Sequence, residues 1–217
     1  METNKTLPIL NAVEVRVLGS LMEKSKTTPD YYPMTINALT AACNQKTSRK
    51  PVVDYDETTV MDGINSLKQR GYVSTATGGF SRATKYKHNL AIVFPFTPDE
   101  VAVICLLLLR GPLTPGEINS NSGRLYEFDS LEEVQTVLDK LSTGDIAFVM
   151  QLPRRPGQKE TRYVHLFAGT PDIAALEAEE EQHTAGKSPL EERVTILEKE
   201  LADLKESFNK LMKELMG

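Results

Sequence analysis

The sequence has no tryptophan, only two cysteines and only three histidines, and these scarcities exclude several kinds of site. Cys43 and Cys105 are too few for a disulfide framework or a cysteine-based metal motif. Both fall in apolar helical patterns, where a free cysteine behaves as a small hydrophobic residue. The histidines show no metal-ligand spacing. We therefore expect no bound metal and a reducing compartment.

Long apolar runs are also missing. The longest, residues 101–109, is about half of the roughly 20 residues that a membrane helix needs. The first five residues, Met-Glu-Thr-Asn-Lys, lack the basic start and apolar stretch of a secretory signal. We expect a cytoplasmic protein with no membrane partner.

Signatures of catalysis and of cofactor binding are absent as well. We interpret Gly78 and Gly79 as a hairpin turn, because the sequence after them lacks the helix and the Lys-Ser/Thr of a phosphate loop, and no nucleophile elbow is visible. A Tyr-x-His motif occurs twice, ending at His88 and His165. It could be read as a two-part metal site, but two copies of one strand explain it better. We expect no catalytic residues, no cofactor and no enzyme activity.

What the chain does have is an uneven distribution of charge. The net charge is −5 over 217 residues. Residues 1–95 carry +4, residues 96–170 carry −3, and residues 171–217 carry −6. A polyanion would therefore prefer the N-terminal part of the chain.

Helix starts are marked by one recurring pattern, a short polar residue followed three positions later by glutamate. In this capping box, each of the two side chains can bond a backbone N–H at the helix start. The pattern occurs five times ahead of apolar periodicity, at Asn11, Thr97, Thr114, Ser130 and Ser188.

The elements then follow the same order twice: three helices and a β-hairpin. Both third helices end at a glycine, Gly71 or Gly144, and glycine adopts the left-handed conformation of a helix cap at little energetic cost. This is the winged-helix order, so we predict a mainly helical α+β protein with winged-helix domains at residues 9–92 and 96–169. The first copy has about 13 extra residues, which we assign largely to residues 44–55. An insertion of that length is usually functional or mobile.

Three stretches of this sequence also resemble a known family. They are the run Leu39-Thr-Ala-Ala-Cys-Asn-Gln-Lys-Thr-Ser-Arg-Lys-Pro51, the segment Gly79-Phe-Ser-Arg-Ala-Thr-Lys-Tyr-Lys-His88, and Leu106-Leu-Leu-Leu-Arg-Gly-Pro112. In these the chain is similar to the YceH-like proteins over roughly residues 9–168. The resemblance implies two winged-helix domains and a bacterial cytoplasmic protein, and it implies no particular activity.

The C-terminal part predicts an acidic linker, residues 170–187, and a coiled-coil helix, residues 188–217. Apolar residues recur with alternating spacings of four and three, which is a heptad seam. They are Leu190, Val194, Leu197, Leu201, Leu204, Phe208, Leu211 and Leu215. The seam favours self-association or coiling with a partner protein. A helix folded against its own domain is the alternative, and it would need a wider apolar face.

Double-stranded DNA is the first partner that we predict, bound mainly through the first domain. In winged helices the third helix enters the major groove and the wing contacts the backbone. The candidate residues lie on the insertion, the third helix and both wings: Lys46, Arg49, Lys50, Thr58, Thr59, Asn65, Gln69, Arg82, Lys85, Lys87, Arg154 and Arg155. Asp54, Asp56 and Glu57 argue against this reading, because carboxylates at a helix N-terminus repel phosphate.

A protein–protein adaptor is the alternative function, from a different class. The third helix of the second domain exposes a mostly acidic face, including Glu132, Glu133 and Asp139. Such a face would be repelled by the phosphates of a duplex. Winged helices can also act as scaffolds without binding nucleic acid, and fold does not decide between the two functions.

Overall fold

The computed structural model of this chain describes residues 7–76, 83–154 and 160–174. Residues 1–170 form one compact unit, and residues 171–217 are assigned to a second. The predicted coiled-coil seam and most of the predicted linker lie outside the described residues.

The described part of the chain contains seven α-helices, a short 3-10 helix and four strands. In chain order these are α1 (Ala12–Thr27), the 3-10 helix (Pro29–Tyr31), α2 (Ile36–Cys43), α3 (Glu57–Gln69), β1 (Val73–Ala76), β2 (Lys85–His88), α4 (Leu90–Val93), α5 (Pro98–Arg110), α6 (Pro115–Ser122), α7 (Leu131–Thr143), β3 (Val149–Gln151) and β4 (Tyr163–His165). The strands form two antiparallel pairs, β1 with β2 and β3 with β4. The mixed α+β class is therefore confirmed. None of the helices in the described ranges combines the length and the apolar character needed to cross a bilayer.

Two of the predicted capping boxes, at Asn11 and Thr114, are formed in full, and at Thr97 the backbone N–H donates to the carboxylate of Glu100 (2.8 Å). At the fourth, the Ser130 side chain accepts from the N–H of Glu133 (3.2 Å), but Glu133 accepts from the N–H of Asp129 (2.8 Å) instead of returning the bond to Ser130. The fifth predicted box, at Ser188, lies outside the described residues.

The order of three helices and a hairpin occurs twice, in residues 12–88 and again in residues 98–165. We call these segments the first and second repeats. α1 begins 86 residues before α5, α2 begins 79 before α6, and α3 begins 74 before α7. Seven of the extra residues therefore precede α2, and five lie between α2 and α3. The assignment of the extra residues largely to 44–55 is wrong, because most of them lengthen α1 and form the 3-10 helix, beside which the Tyr32 hydroxyl accepts from the N–H of His88 (2.8 Å).

Buried capping glutamates tie the first helix of each repeat to its third helix. Glu14 is 1% exposed, and its carboxylate accepts from the hydroxyl of Ser66, the tenth residue of α3. Glu100 is 4% exposed and pairs with Lys140, the tenth residue of α7, at 2.7 Å. Equivalent residues make equivalent contacts, so the duplication extends to individual side chains.

The tyrosine of each Tyr-x-His motif joins three elements of its repeat. Tyr86 exchanges backbone hydrogen bonds with Met34, just before α2, and its hydroxyl donates to Met61 Sδ (3.6 Å) in α3. Tyr163 exchanges the same bonds with Leu113, just before α6, and its hydroxyl accepts from Gln135 (2.8 Å) in α7. Met61 and Gln135 are each the fifth residue of their helix. The motif therefore anchors each hairpin to its helices.

The two repeats share one hydrophobic core. α1 and α5 cross closely at Gly19, where an added Cβ would lie 2.9 Å from a methyl carbon of Leu109. Aromatic rings continue the contact, since Phe94 and Phe96, between the repeats, pack edge-on against Phe148 at centroid distances of 5.0 and 4.6 Å. The repeats therefore form a single packed body.

Candidate nucleic-acid interface

Four side chains on α3 form an exposed stripe along one side of the helix: Thr58, Asp62, Asn65 and Gln69. Their spacings of four, three and four residues place them on one face. The opposite face carries the buried residues Val60, Gly63, Ile64 and Leu67. Three of the predicted base-reading residues thus share a surface, and Asp62 places a negative charge among them.

Thr59, the fourth predicted residue on α3, is only half-exposed and lies off this stripe. Its backbone N–H donates to the N-cap side chain of Asp56 (2.7 Å). Hydrogen bonds from Thr59 lower the pKa of Asp56, so this carboxylate is ionised at neutral pH. The start of α3 is therefore acidic and is not an anion site.

The first hairpin presents two lysines on its outer face. Strand β2 alternates, with Tyr86 and His88 turned towards the helices and Lys85 and Lys87 turned away. Lys87 is exposed and Lys85 is half-exposed. Arg82, the third predicted contact of this hairpin, lies outside the described residues.

Arg49, which the sequence predicts to contact DNA, is buried in the structure. Its residue exposure is 6%, and its guanidinium binds both carboxylate oxygens of Glu23, at 3.0 and 2.6 Å. The same side chain donates to the carbonyl of Ala42 from Nε (3.2 Å) and from a terminal nitrogen (3.0 Å). All of these hydrogen bonds are inside the protein, so Arg49 is not part of the candidate DNA surface.

The reason for this burial is the C-terminal end of α2. The last carbonyls of a helix have no partner within it, and α2 ends without a glycine cap. Arg49 binds the carbonyl of Ala42, and Arg16 binds that of Cys43 (3.3 Å). Sequence reasoning missed this role. The available signal was a short helix that ends without glycine and is followed six residues later by an arginine.

The rest of the insertion is an ordered loop, held at its base and docked on α5. The Asn44 side chain donates to the carbonyl of Tyr55 (2.7 Å) and accepts from its N–H (2.9 Å). The backbone N–H of Lys50 donates to the carbonyl of Leu109 (2.9 Å). Lys46 and Lys50 are exposed on this loop, so they remain candidates for phosphate contact.

The corresponding face of the second repeat is a groove of about 350 Å³. It lies between the start of α6, the start of α7 and the second hairpin, and its lining residues are Pro115, Leu131, Glu132, Gln135, Arg154, Glu160 and Thr161. Leu131 is 43% exposed there. Arg154 is also exposed, whereas Arg155 lies outside the described residues. This face mixes apolar and acidic groups, unlike the polar stripe of α3.

The two Tyr-x-His histidines are structural. Burial lowers the pKa of His88 and of His165 to about 4, with the charge of Lys26 adding to the effect at His88. Nδ1 of His165 is buried and has no hydrogen-bond partner among the residues that the structure describes. No cluster of three or more potential metal ligands occurs in the ranges that the structure describes.

Comparison with known proteins gives consistent matches along the chain. The family described as "Protein of unknown function, DUF480" matches residues 10–158. A UPF0502 protein of Cronobacter sakazakii is 41% identical over 210 residues, which cover 94% of this chain and 97% of the relative. UPF0502 protein YceH of Escherichia fergusonii is 43% identical over 211 residues, covering 95% and 97%. A UPF0502 protein of Solibacter usitatus is 45% identical over 199 residues, covering 92% and 94%.

Proposed function

Because the chain belongs to the DUF480 family, which includes the YceH-like proteins and whose description states no function, we propose a function from its own residues: it is a non-enzymatic, DNA-binding protein of the cytoplasm. The first repeat binds the duplex as a winged helix, with α3 in the major groove and β1–β2 as the wing. The second repeat is a winged helix that contacts protein.

The arrangement of elements in each repeat supports the winged-helix assignment. Three helices are followed by a hairpin, and the residue two positions before the second helix pairs with the hairpin as an isolated β-bridge. In such folds the third helix is the recognition helix. The two buried free cysteines agree with a reducing cytoplasm.

The single observation that carries the DNA proposal is the exposed stripe of α3. Asn and Gln side chains can bond adenine edges in two places, and Thr can bond several bases. The side chains of Asn65 and Gln69 are exposed on this stripe and make no hydrogen bond with any of the described residues. Lys85 and Lys87 on the wing, with Lys46 and Lys50 on the insertion, supply charges for the phosphates. Asp62 opposes them, so we expect weak binding to random DNA.

Salt dependence of duplex binding tests this proposal. We expect a random duplex pool to bind at low salt, with an affinity that falls steeply as salt increases. Replacing both Lys85 and Lys87 by glutamine should reduce the slope of log affinity against log salt by about 2, because each phosphate contact contributes about 0.9.

D62N should strengthen the binding of the random duplex pool, because it removes a negative charge from the side of α3 that faces the groove.

K26Q is the matched control for the loss of one exposed lysine. The charge of Lys26 acts on His88, which is on the opposite face of β2 from Lys87. Fluorescence anisotropy of a labelled duplex measures all four proteins. An absence of binding at low salt, or equal slopes for the wild type and the double variant, would refute the proposal.

An adaptor function is the second candidate, favoured by the groove of the second repeat. There Leu131 is exposed beside Glu132 and Glu160, an arrangement that suits a partner with apolar and basic groups. In this reading the protein binds no DNA, and the anisotropy experiment separates the two functions.

We also propose that residues 188–217 form a coiled coil that assembles two or more chains. The support is the heptad seam from Leu190 to Leu215 in the sequence. Assembly would hold several weak DNA contacts at high effective concentration. Light scattering of a chain that ends at residue 187 provides the test, and an unchanged oligomeric state would overturn this part of the proposal.

A further inference from the structure

A cavity of about 140 Å³ lies where the two repeats meet. Its wall comes from α1, the insertion loop, the last turn of α5 and the end of α6. We propose that this inter-repeat cavity binds a small phosphate monoester, held by Arg110 and Arg124 against an apolar wall.

Positive charge exceeds negative charge in the cavity. Lys24, Arg110 and Arg124 line it, and Glu23 is the one carboxylate among the described residues that line it. Glu23 is already bound by Arg49 through both oxygens and is also paired with Lys24 (3.3 Å). Arg110 and Arg124 therefore have no carboxylate partner among the described lining residues, and a bound anion would balance their charge.

The two arginines have donors to spare. Arg110 donates one bond, to the Ser48 hydroxyl (2.8 Å), and is paired with no carboxylate in the described part of the chain. Its burial lowers the pKa of the guanidinium, as expected for a desolvated cation. The Arg124 side chain is exposed and makes no hydrogen bond or ion pair with a described residue. Guanidinium groups bind phosphate through two parallel bonds, and each of these has unused N–H groups to do so.

Ser48 offers a further hydrogen-bond donor beside Arg110. Its φ of 59° is in the left-handed region, which is uncommon for a residue other than glycine. Its hydroxyl accepts from Arg110 and still has its own proton to donate. A phosphate oxygen beside Arg110 could therefore take a bond from Ser48 as well.

The size of the cavity and the wall opposite the arginines limit the part of the ligand beyond its phosphate group. Leu106, Leu109 and Leu125 give the cavity an apolar side. A cavity of about 150 Å³ accommodates a molecule the size of benzene. A phosphate monoester with about two carbons fits that limit, whereas the backbone of a duplex does not, so this site is separate from the proposed DNA surface.

Isothermal titration calorimetry with ethyl phosphate tests the inference on the full chain, with sodium chloride keeping the ionic strength constant. We expect saturable binding, tighter for ethyl phosphate than for inorganic phosphate because the apolar wall contacts only the ester. R124Q should weaken binding about tenfold or more, since a charge-assisted bond is lost. Because the exposed Arg124 side chain makes no hydrogen bond or ion pair with a described residue, this variant should fold normally.

K68Q is the control, since Lys68 is an exposed lysine on α3 that does not line the cavity. It should bind ethyl phosphate as the wild type does. The inference is overturned if ethyl phosphate gives no heat beyond dilution, if inorganic phosphate binds equally well, or if R124Q binds as tightly as K68Q. DNA binding does not enter these measurements, so their failure would leave the proposed function untouched.

Discussion

Replacing Arg49 by methionine should lower the free energy of unfolding by about 3 kcal/mol, which is the largest loss that we expect from a single substitution. The Arg49 side chain is 0% exposed and its partner Glu23 is 15% exposed. Burial opposes the charged form of Glu23, but bonds and charge from Arg49 outweigh burial and lower the pKa of this carboxyl group. Without Arg49, a largely buried carboxylate and the carbonyl of Ala42 both lose their main donor.

Urea unfolding at neutral pH measures this loss. K46M is the matched control, because Lys46 is exposed on the same loop, and it should change stability by less than about 0.5 kcal/mol. The double variant E23M/R49M should recover part of the loss, since removing both charges of a buried pair costs less than removing one. Equal stability of R49M and K46M would show that the ion pair contributes nothing.

Acidification from pH 7 to pH 5 should destabilise the protein through its two buried histidines, by about 1–2 kcal/mol for each. The folded pKa of both is about 4, below the unfolded value of 6.5. Between these values the unfolded chain binds protons that the folded chain excludes. The contribution of the two histidines to stability is therefore fully present above pH 6.5 and is lost as the pH falls towards 4.

Urea unfolding of H88Q/H165Q at both pH values isolates this contribution from that of the carboxylates. The variant should be less stable than the wild type at pH 7, yet its stability should fall less between pH 7 and pH 5. Its loss on acidification should be smaller by about 2–4 kcal/mol. If the wild type and the variant lose the same free energy on acidification, these two rings are not the source of the pH dependence.

Local signals in the sequence predicted the helix starts well, because a capping box needs only residues three positions apart. Asn11 and Thr114 illustrate this. Helix ends were less predictable. Gly71 has the expected left-handed backbone, with a φ of +78°, whereas Gly144 continues in extended conformation with a φ of −68°. Both helices are followed by a glycine, so the presence of glycine alone does not determine the backbone conformation at the helix end.

The candidate site was harder to predict than the fold, because exposure depends on contacts distant in sequence. Asn65 and Gln69 followed from helical periodicity opposite an apolar face, which is a local pattern. Arg49 did not, since its partner Glu23 precedes it by 26 residues and the carbonyl of Ala42, which it also binds, lies at the end of α2. A basic residue in a polar loop looks the same in the sequence whether it contacts solvent or caps a helix.

The close crossing of α1 and α5 at Gly19 has a consequence for how the duplicated chain can meet a long, regular target. Independent modules on a flexible tether could adjust to many separations along a polymer. Here the two copies are fused through a common interior, so the distance and angle between their outer faces are set by the fold itself. Any ligand that touches both copies must match that one geometry.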